Sequence, residues 1–418
     1  MSGICDLSED LLVKILSLVK TKDAVATSLL SKRWLSLWKL VPRFEYVTKT
    51  FATNSDLIDS FLRLSKAPVL DTLHLTIGAC CEPEDHERWV NTAFARHVRH
   101  LELLHHHLRP SPMPLPKSLF TYKGLVVLSL QQVEVYDIPS TIFLQSLKKL
   151  SLLCVRFYSG NKLVRSLLSA CPILETLVVR RWLKDDVIIY TIAVPSLQSL
   201  YIMERPDNHQ QIDDREYVIN APLLKTLRVC DKFSRFRSLV KMPKLVKAEI
   251  KIRQEDSNEL MGCLTSAKHL SLCLSSSIPL LMEKPCENLC QLQSLEICTK
   301  CSSDWLCHLL IHCPKLRVLK LNHLNCGIFR SFEPQWEEPT CVPECFVSCL
   351  ETLEWIGYKG KKAETEAAIY ILDKATHLKN MTLYQEIIHL REKYRTLIDL
   401  SSRMSSSIKS QFEFVRLK

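Results

Sequence analysis

One short pattern recurs down most of this chain: apolar-x-x-apolar-x-apolar, usually with leucine in the apolar places. It occurs as Leu70/Leu73/Leu75, Val98/Leu101/Leu103 and Leu125/Leu128/Leu130. Further copies begin at Leu147, Leu174, Leu197, Leu224, Leu245, Ala267, Leu292, Leu316, Leu350 and Leu378, with steps of 21 to 34 residues. A period of that length marks a chain built of stacked units, none of which can bury its apolar face alone.

The last two apolar residues of each copy are two apart, so both point to one face of a short strand. Stacked copies predict a parallel sheet over a continuous apolar core, and the spacing is that of leucine-rich repeats. The stretches between strands read as helices. HERWVNTAFARHVRHL puts Trp89, Val90, Ala93, Phe94 and Val98 on one face, and DWLCHLLIHCPKLRVL does the same with Trp305, Leu306, Leu309, Leu310 and Cys313. At Cys171-Pro172 and Cys313-Pro314 a proline stops the helix before the next strand. The asparagine ladder of the commonest repeat type is missing. The fold class is therefore α/β: an irregular leucine-rich-repeat solenoid over 69–335, with parallel strands on the concave face and helices or loops on the convex face.

The residue between each inward pair faces outward. That row is His74, Glu102, Ser129, Ser151, Val178, Tyr201, Arg228, Glu249, Ser271, Glu296, Lys320, Glu354 and Thr382, mostly polar as an exposed face requires. Solenoids bind along such surfaces, and aromatic and arginine side chains dominate interface energetics. Tyr201 and Arg228, with Arg180 and Lys251 alongside, are accordingly candidate target-binding residues. The competing reading is a solvated row, with the target held by loops or by the C-terminal segment.

Ahead of the repeats, residues 5–44 parse as three short helices. Ser8 can cap the first, with Glu9 and Asp10 at the positive end of its dipole. Leu11, Leu12, Ile15, Leu16 and Val19 then form a stripe at helical spacing. Thr21 can cap a second helix carrying Ala24, Val25, Leu29 and Leu30, and Ser31 can open a third with Trp34, Leu35, Leu37, Trp38 and Val41. Three such helices hold more apolar side chains than they can bury. The segment resembles a plant F-box. The resemblance implies docking to the Skp-type adaptor of a cullin ubiquitin ligase, with Leu7, Ser8, Leu11, Ile15, Leu16, Val25, Trp34 and Leu37 as candidate adaptor-binding positions, some in contact and some in the fold core. Two departures weaken the match: Leu7-Ser8 stands where Leu-Pro is usual, and Lys20 where the loop usually has proline.

The segment WEEPTCVPECFVSCLETLEWIGYKGKKAETEAAIYILDKATHLKNMTL contains Trp336, Pro339, Val342-Pro343, Cys345, Leu350, Trp355-Ile356-Gly357-Tyr358, Glu366, Tyr370-Ile371-Leu372 and Leu378-Lys379 in order. It resembles the FBD domain, which in plants follows an F-box and leucine-rich repeats. The implied organisation is an F-box over 1–44, a connector over 45–68, repeats over 69–335 and an FBD cap over 336–418.

Composition narrows the remaining classes. With 8 glycines in 418 residues, of which only Gly357 and Gly360 are close neighbours, phosphate-cradling loops have little to be built from. H-E-x-x-H and G-x-S-x-G are absent, and Asp185-Asp186 and Asp213-Asp214 read as solvated loop charge. The 18 cysteines are scattered through apolar positions, which points to buried thiols rather than disulfides. Cys298 and Cys301 lack a second pair at zinc spacing, and His105-His106-His107 reads as a turn, so neither metal nor cofactor is expected. No apolar run approaches 18 residues, and Asp6, Glu9 and Asp10 interrupt any signal-peptide core. A net charge of +10 allows an acidic partner, but basic clusters such as Arg180-Arg181 are too short to argue for nucleic acid.

The expected role is a non-catalytic, intracellular receptor, in nucleus or cytoplasm, that holds an unknown target protein while the adaptor links it to the cullin. Two alternatives stay open: a scaffold or decoy that binds partners without assembling a ligase and, more weakly, a basic nucleic-acid adaptor.

Overall fold

The structure is a computed structural model. It describes residues 4, 7–48, 54–78, 81–105, 115–158, 160–182, 186–203, 215–231, 234–238, 240–252, 262–274, 289–300, 309–324, 336, 338–339, 341–385, 398, 400 and 412–416. The chain divides into two compact units, Met1–Leu197 and, in the main, Gln198–Lys418. Cys301, Trp305, Leu306, His106, His107, Asp185, Asp213 and Asp214, named above, lie outside the described residues.

The first unit opens with helix α1 (Glu9–Leu16) and helix α2 (Thr21–Ala26). Ser8 caps α1 as expected, its Oγ accepting from Leu11 N at 3.4 Å. Thr21 does not cap α2. It is buried, and its hydroxyl accepts from Glu45 N at 2.8 Å. The helix ends at Ala26, where the Thr27 hydroxyl donates to the Ala24 carbonyl at 2.6 Å, a local bond that competes with helix continuation. The third expected helix is realised as turns followed by a 3₁₀ segment, Leu37–Leu40. Trp34 and Leu37, three apart, both point inward, which matches a three-residue turn.

The stretch expected to be a connector is itself built like a repeat. Strand β1 (Arg43–Tyr46) is followed by helix α3 (Ser55–Leu64), and β1 pairs in parallel with β2 (Thr72–Ile77). Helix α4 (Pro83–Ala95) precedes β3 (His100–His105). Asp59 of α3 clamps α4, accepting from Trp89 Nε1 and from Arg88, each at 2.7 Å. Then come β4 (Val127–Gln131), β5 (Glu134–Val135), β6 (Lys149–Phe157), α5 (Asn161–Ser169), β7 (Thr176–Arg181) and β8 (Ile189–Ala193). Strands β1, β2, β3, β4, β6 and β7 pair in parallel, in that order.

The second unit continues the same design with β9 (Ser199–Ile202), β11 (Thr226–Cys230), β13 (Lys247–Ile252), β14 (His269–Leu274), β15 (Ser294–Cys298) and β16 (Val318–Asn322). A short side pair, β10 (Glu216–Asn220) with β12 (Arg235–Ser238), stands off this sheet. The FBD segment adds helix α6 (Glu344–Ser348), β17 (Thr352–Ile356), helix α7 (Lys362–Lys374) and β18 (Asn380–Gln385). It thereby extends the parallel sheet, and β19 (Phe412–Arg416) closes it beside β18.

All three apolar residues of every copy of the pattern are at most 4% exposed. The missing asparagine ladder has a backbone replacement. At the start of most main-sheet strands two consecutive N–H groups donate to one carbonyl of the preceding repeat: Glu175 and Thr176 to Lys148, Lys225 and Thr226 to Gln198, Arg317 and Val318 to Gln293. Just before, in most repeats the first apolar residue closes a turn onto the carbonyl three residues back, as Leu174 does on Cys171 and Leu316 on Cys313. The buried turn groups are thus satisfied without a side chain, and the intervening helix or loop is free to vary in length.

Candidate protein-interaction surfaces

In the head, Leu12, Leu16, Ala24, Trp34, Leu37 and Val41 form a closed core, with Leu7, Val13 and Trp38 packed against it. Arg33 ties the two ends of this core together by donating to the Leu7 carbonyl. Trp38 and Phe44 both meet Phe61 of α3, with ring centres 5.6 and 3.9 Å away. The eight head positions therefore separate. Leu16, Trp34 and Leu37 are interior, Leu7 and Val25 are half-buried, Ser8 is at the exposed cap, and Leu11 and Ile15 face outward at 46% and 37% exposure.

The structure adds four residues that were not singled out as contacts. Leu18, Leu29, Leu30 and Leu35 are 83%, 89%, 68% and 60% exposed. Leu11, Ile15 and Leu18 follow at i, i+4 and i+7, one side of α1 and the turn after it. Leu29 and Leu30 were expected to belong to the second helix, but that helix stops at Ala26 and both are exposed beyond it. The signal for this surface was the excess of leucine over what so small a bundle can bury.

The outward row is in register strand by strand. In the first unit Glu45, His74, Glu102, Ser129, Ser151 and Val178 lie abreast. Ser151, expected to be exposed, is buried between its neighbours, and Arg180 sits half-buried in β7. In the second unit the row is Tyr201, Arg228, Glu249, Ser271, Glu296, Lys320, Glu354, Thr382 and Glu413. Tyr201, Arg228 and Lys251 come together there, whereas Arg180 belongs to the other unit.

These cations are already engaged. Glu249 takes Arg228 Nε at 3.1 Å on one oxygen and Lys251 Nζ at 2.9 Å on the other. Burial works against the Lys251 charge, but its bond to Glu249 holds its pKa above the usual lysine value. Lys320 pairs with Glu354 at 2.7 Å, and Asn322 donates to Glu296 at 2.8 Å. The charges of this row thus satisfy one another, and partly exposed pairs of this kind contribute below about 1 kcal/mol to the fold.

The loop Gly357–Lys361 is closed by a residue the sequence did not flag. Glu364 Oε2 accepts from Lys359 N at 2.9 Å and Lys361 N at 3.2 Å, while Glu366 stays on the surface facing Lys362. Gly357 and Gly360 have φ of 76° and 70°, which makes this tight approach possible. Burial pushes the thiols of Cys171 and Cys345 up to about 12, so both stay protonated and unreactive. Among the described residues no three His, Cys, Asp or Glu converge as metal ligands, and no helix is long and apolar enough to cross a membrane.

Family models match along the chain: "F-box domain" over residues 4–46, "FBD-associated F-box protein At5g56370, LRR repeats" over 86–270, and "FBD" over 337–383. An FBD-associated F-box protein of Arabidopsis thaliana, At5g56440, is 42% identical across 96% of this chain and 97% of its own. The F-box/FBD/LRR-repeat protein At4g26340 of the same plant is 37% identical across 99% and 100%. Among solved structures, an internalin of Listeria monocytogenes covers 87% of this chain and 95% of its own, at 12% identity and a TM-score of 0.38.

Proposed function

The chain belongs to the plant F-box/FBD/LRR-repeat family, and from that premise we propose that it is the substrate-recognition subunit of a Skp–cullin–F-box ubiquitin ligase. F-box proteins in general serve as substrate receptors of such ligases. The supporting observation is the division of the head: its core is complete without Leu11, Ile15, Leu18, Leu29, Leu30 and Leu35, six large apolar side chains that are each 37% exposed or more. So many exposed large apolar side chains on so small a bundle support a binding site there. In this reading those residues contact the Skp-type adaptor, while Leu16, Trp34 and Leu37 hold the shape that presents them.

The repeats and FBD segment hold the target, and the cullin joins through the adaptor. The subunit is non-catalytic and acts by proximity: a tethered target meets the charged conjugating enzyme at high effective concentration. It works inside the cell, in nucleus or cytoplasm. Tyr201 and Arg228 remain proposed target contacts, with Arg228 freed from Glu249 on binding.

Co-purification of the adaptor with the full chain tests the reading. Loss of the adaptor in the Leu11→Ala/Ile15→Ala variant is the expected result. A wild-type chain that ignores the adaptor at micromolar concentration would instead indicate a scaffold, for which Ser8 and Lys20 in place of the usual prolines would be the reason.

A further inference from the structure

Strand β6 is nine residues long, where the other main-sheet strands have four to six. Its first half obeys the repeat. Its register then slips between Leu153 and Val155, with Cys154 at φ 56° beside Gln132 at φ 59°. Non-glycine residues rarely adopt this left-handed backbone, and such bulges tend to re-aim a strand near functional sites. Gln132 N secures the kink by donating to the Leu153 carbonyl at 2.8 Å.

Past the kink, β6 pairs with β5, Glu134 opposite Arg156 and Val135 opposite Phe157. Val135 and Phe157 are buried, so Glu134, Tyr136, Arg156 and Tyr158 share the outer face. The Tyr136 and Tyr158 rings stack at 4.2 Å and 13°, and the Arg156 guanidinium lies 4.3 Å from the Tyr158 ring centre. Tyr136 and Arg156 cannot share one face of Tyr158 at those distances, so Tyr158 is sandwiched. Glu134 accepts from the Tyr136 hydroxyl at 2.5 Å and from Tyr158 at 3.1 Å, with Arg156 at 4.0 Å. Glu134 thus engages both tyrosine hydroxyls, whereas the buried Nε of Arg156 has no hydrogen-bond partner among the described residues. The open element is Tyr136, 38% exposed although one of its faces is covered.

We propose that the Arg156–Tyr158–Tyr136 stack is a recognition platform that takes an arginine side chain of the target protein onto the open face of Tyr136. This rests on the reading of the chain as a substrate receptor. The chemistry selects the partner. Donation from the Tyr136 hydroxyl to a carboxylate makes its ring richer in electrons, which favours a cation over its face. A flat guanidinium stacks where an ammonium does not, and the arrangement already uses that contact once, between Arg156 and Tyr158. Exposed Asp137, next in sequence, supplies the countercharge. The repeat core needs none of this, since among the described residues no other main-sheet strand carries such a ribbon.

A random peptide library panned on the adaptor-bound full chain tests the platform. Arginine should be enriched at one position, and a selected peptide should bind roughly three- to thirty-fold more weakly to Tyr136→Leu. It should bind Tyr136→Phe with an affinity between those of wild type and Tyr136→Leu, since phenylalanine keeps the ring face but loses the hydroxyl that enriches it. Should Tyr136→Leu fail to fold, replacing the enriched arginine of the peptide by glutamine provides the same readout on wild-type protein. No arginine enrichment, or enrichment that survives Tyr136→Leu, overturns the proposal. Adaptor retention is scored in the same samples. Its loss in wild type counts against the receptor reading, whereas retained adaptor without arginine selection counts against the platform alone.

Discussion

Leu11 and Leu12 are neighbours in sequence and opposites in consequence. Leu12 is 0% exposed in the core with Leu16, Trp34 and Leu37, whereas Leu11 is 46% exposed. Replacing buried Leu12 by alanine removes its burial and leaves a cavity, a cost of about 2–5 kcal/mol. In a unit of this size each kcal/mol lowers Tm by about 2–4 °C, so the variant should melt roughly 4–20 °C lower. Leu11→Ala removes little buried area, and its Tm should stay within about 1–2 °C, as for surface substitutions. Adaptor affinity should show the reverse pattern. Leu11→Ala combined with Ile15→Ala should weaken binding by about 2 kcal/mol or more per anchor, whereas the folded fraction of Leu12→Ala should bind normally. Differential scanning fluorimetry and calorimetric titration with purified adaptor measure both quantities on the same samples. A Leu11→Ala/Ile15→Ala protein that binds with wild-type affinity would refute the assignment of this face.

Three other perturbations follow from single contacts. Ser8 has φ −63° and ψ 156°, a conformation proline adopts freely, so Ser8→Pro should keep the fold and bind adaptor equally or more tightly in the same titration. Thr21→Val removes the acceptor of Glu45 N and should cost about 1–3 kcal/mol by urea unfolding, the penalty of an unpaired buried donor. Burial holds the Glu364 carboxyl above its ordinary 4.5 despite bonds from Lys359 and Lys361. Its contribution to stability is therefore full below that value and lost as pH rises through the raised folded pKa. Glu364→Gln should flatten the fall in urea midpoint on raising pH from about 4.5 through the raised pKa; an unchanged pH slope would exclude Glu364 as its source.

Most of the scaffold was legible because repeat strands obey a local rule. Alternation on a pleated strand sends Leu73 and Leu75 inward and His74 outward whatever surrounds them, and the registered row across each unit follows. Strands β1 and β19 escaped notice because Arg43–Tyr46 and Phe412–Arg416 carry no full copy of the leucine pattern and are strands only through pairing with β2 and β18. Candidate sites were less legible. Arg228 and Lys251 looked like free anchors in the sequence, yet both turn to Glu249: spacing sets the three side by side, but only the side-chain conformations decide that their charges close on one another.

The sequence by itself determined the solenoid, its core leucines, the F-box at one end and the FBD segment at the other, since each depends on periodicity or on residues close in the chain. Only the tertiary structure decided which head leucines are core and which are surface, because that turns on where α2 ends. It also decided that Thr21 serves Glu45 rather than a helix, and that β6 kinks to build the Tyr136 stack. The last two are a bond and a stack between residues about twenty or more apart, formed when folding brings them together, and no local pattern records them. The end of α2 rests on the Thr27 hydroxyl bonding the Ala24 carbonyl, a choice of side-chain partner that apolar spacing does not record.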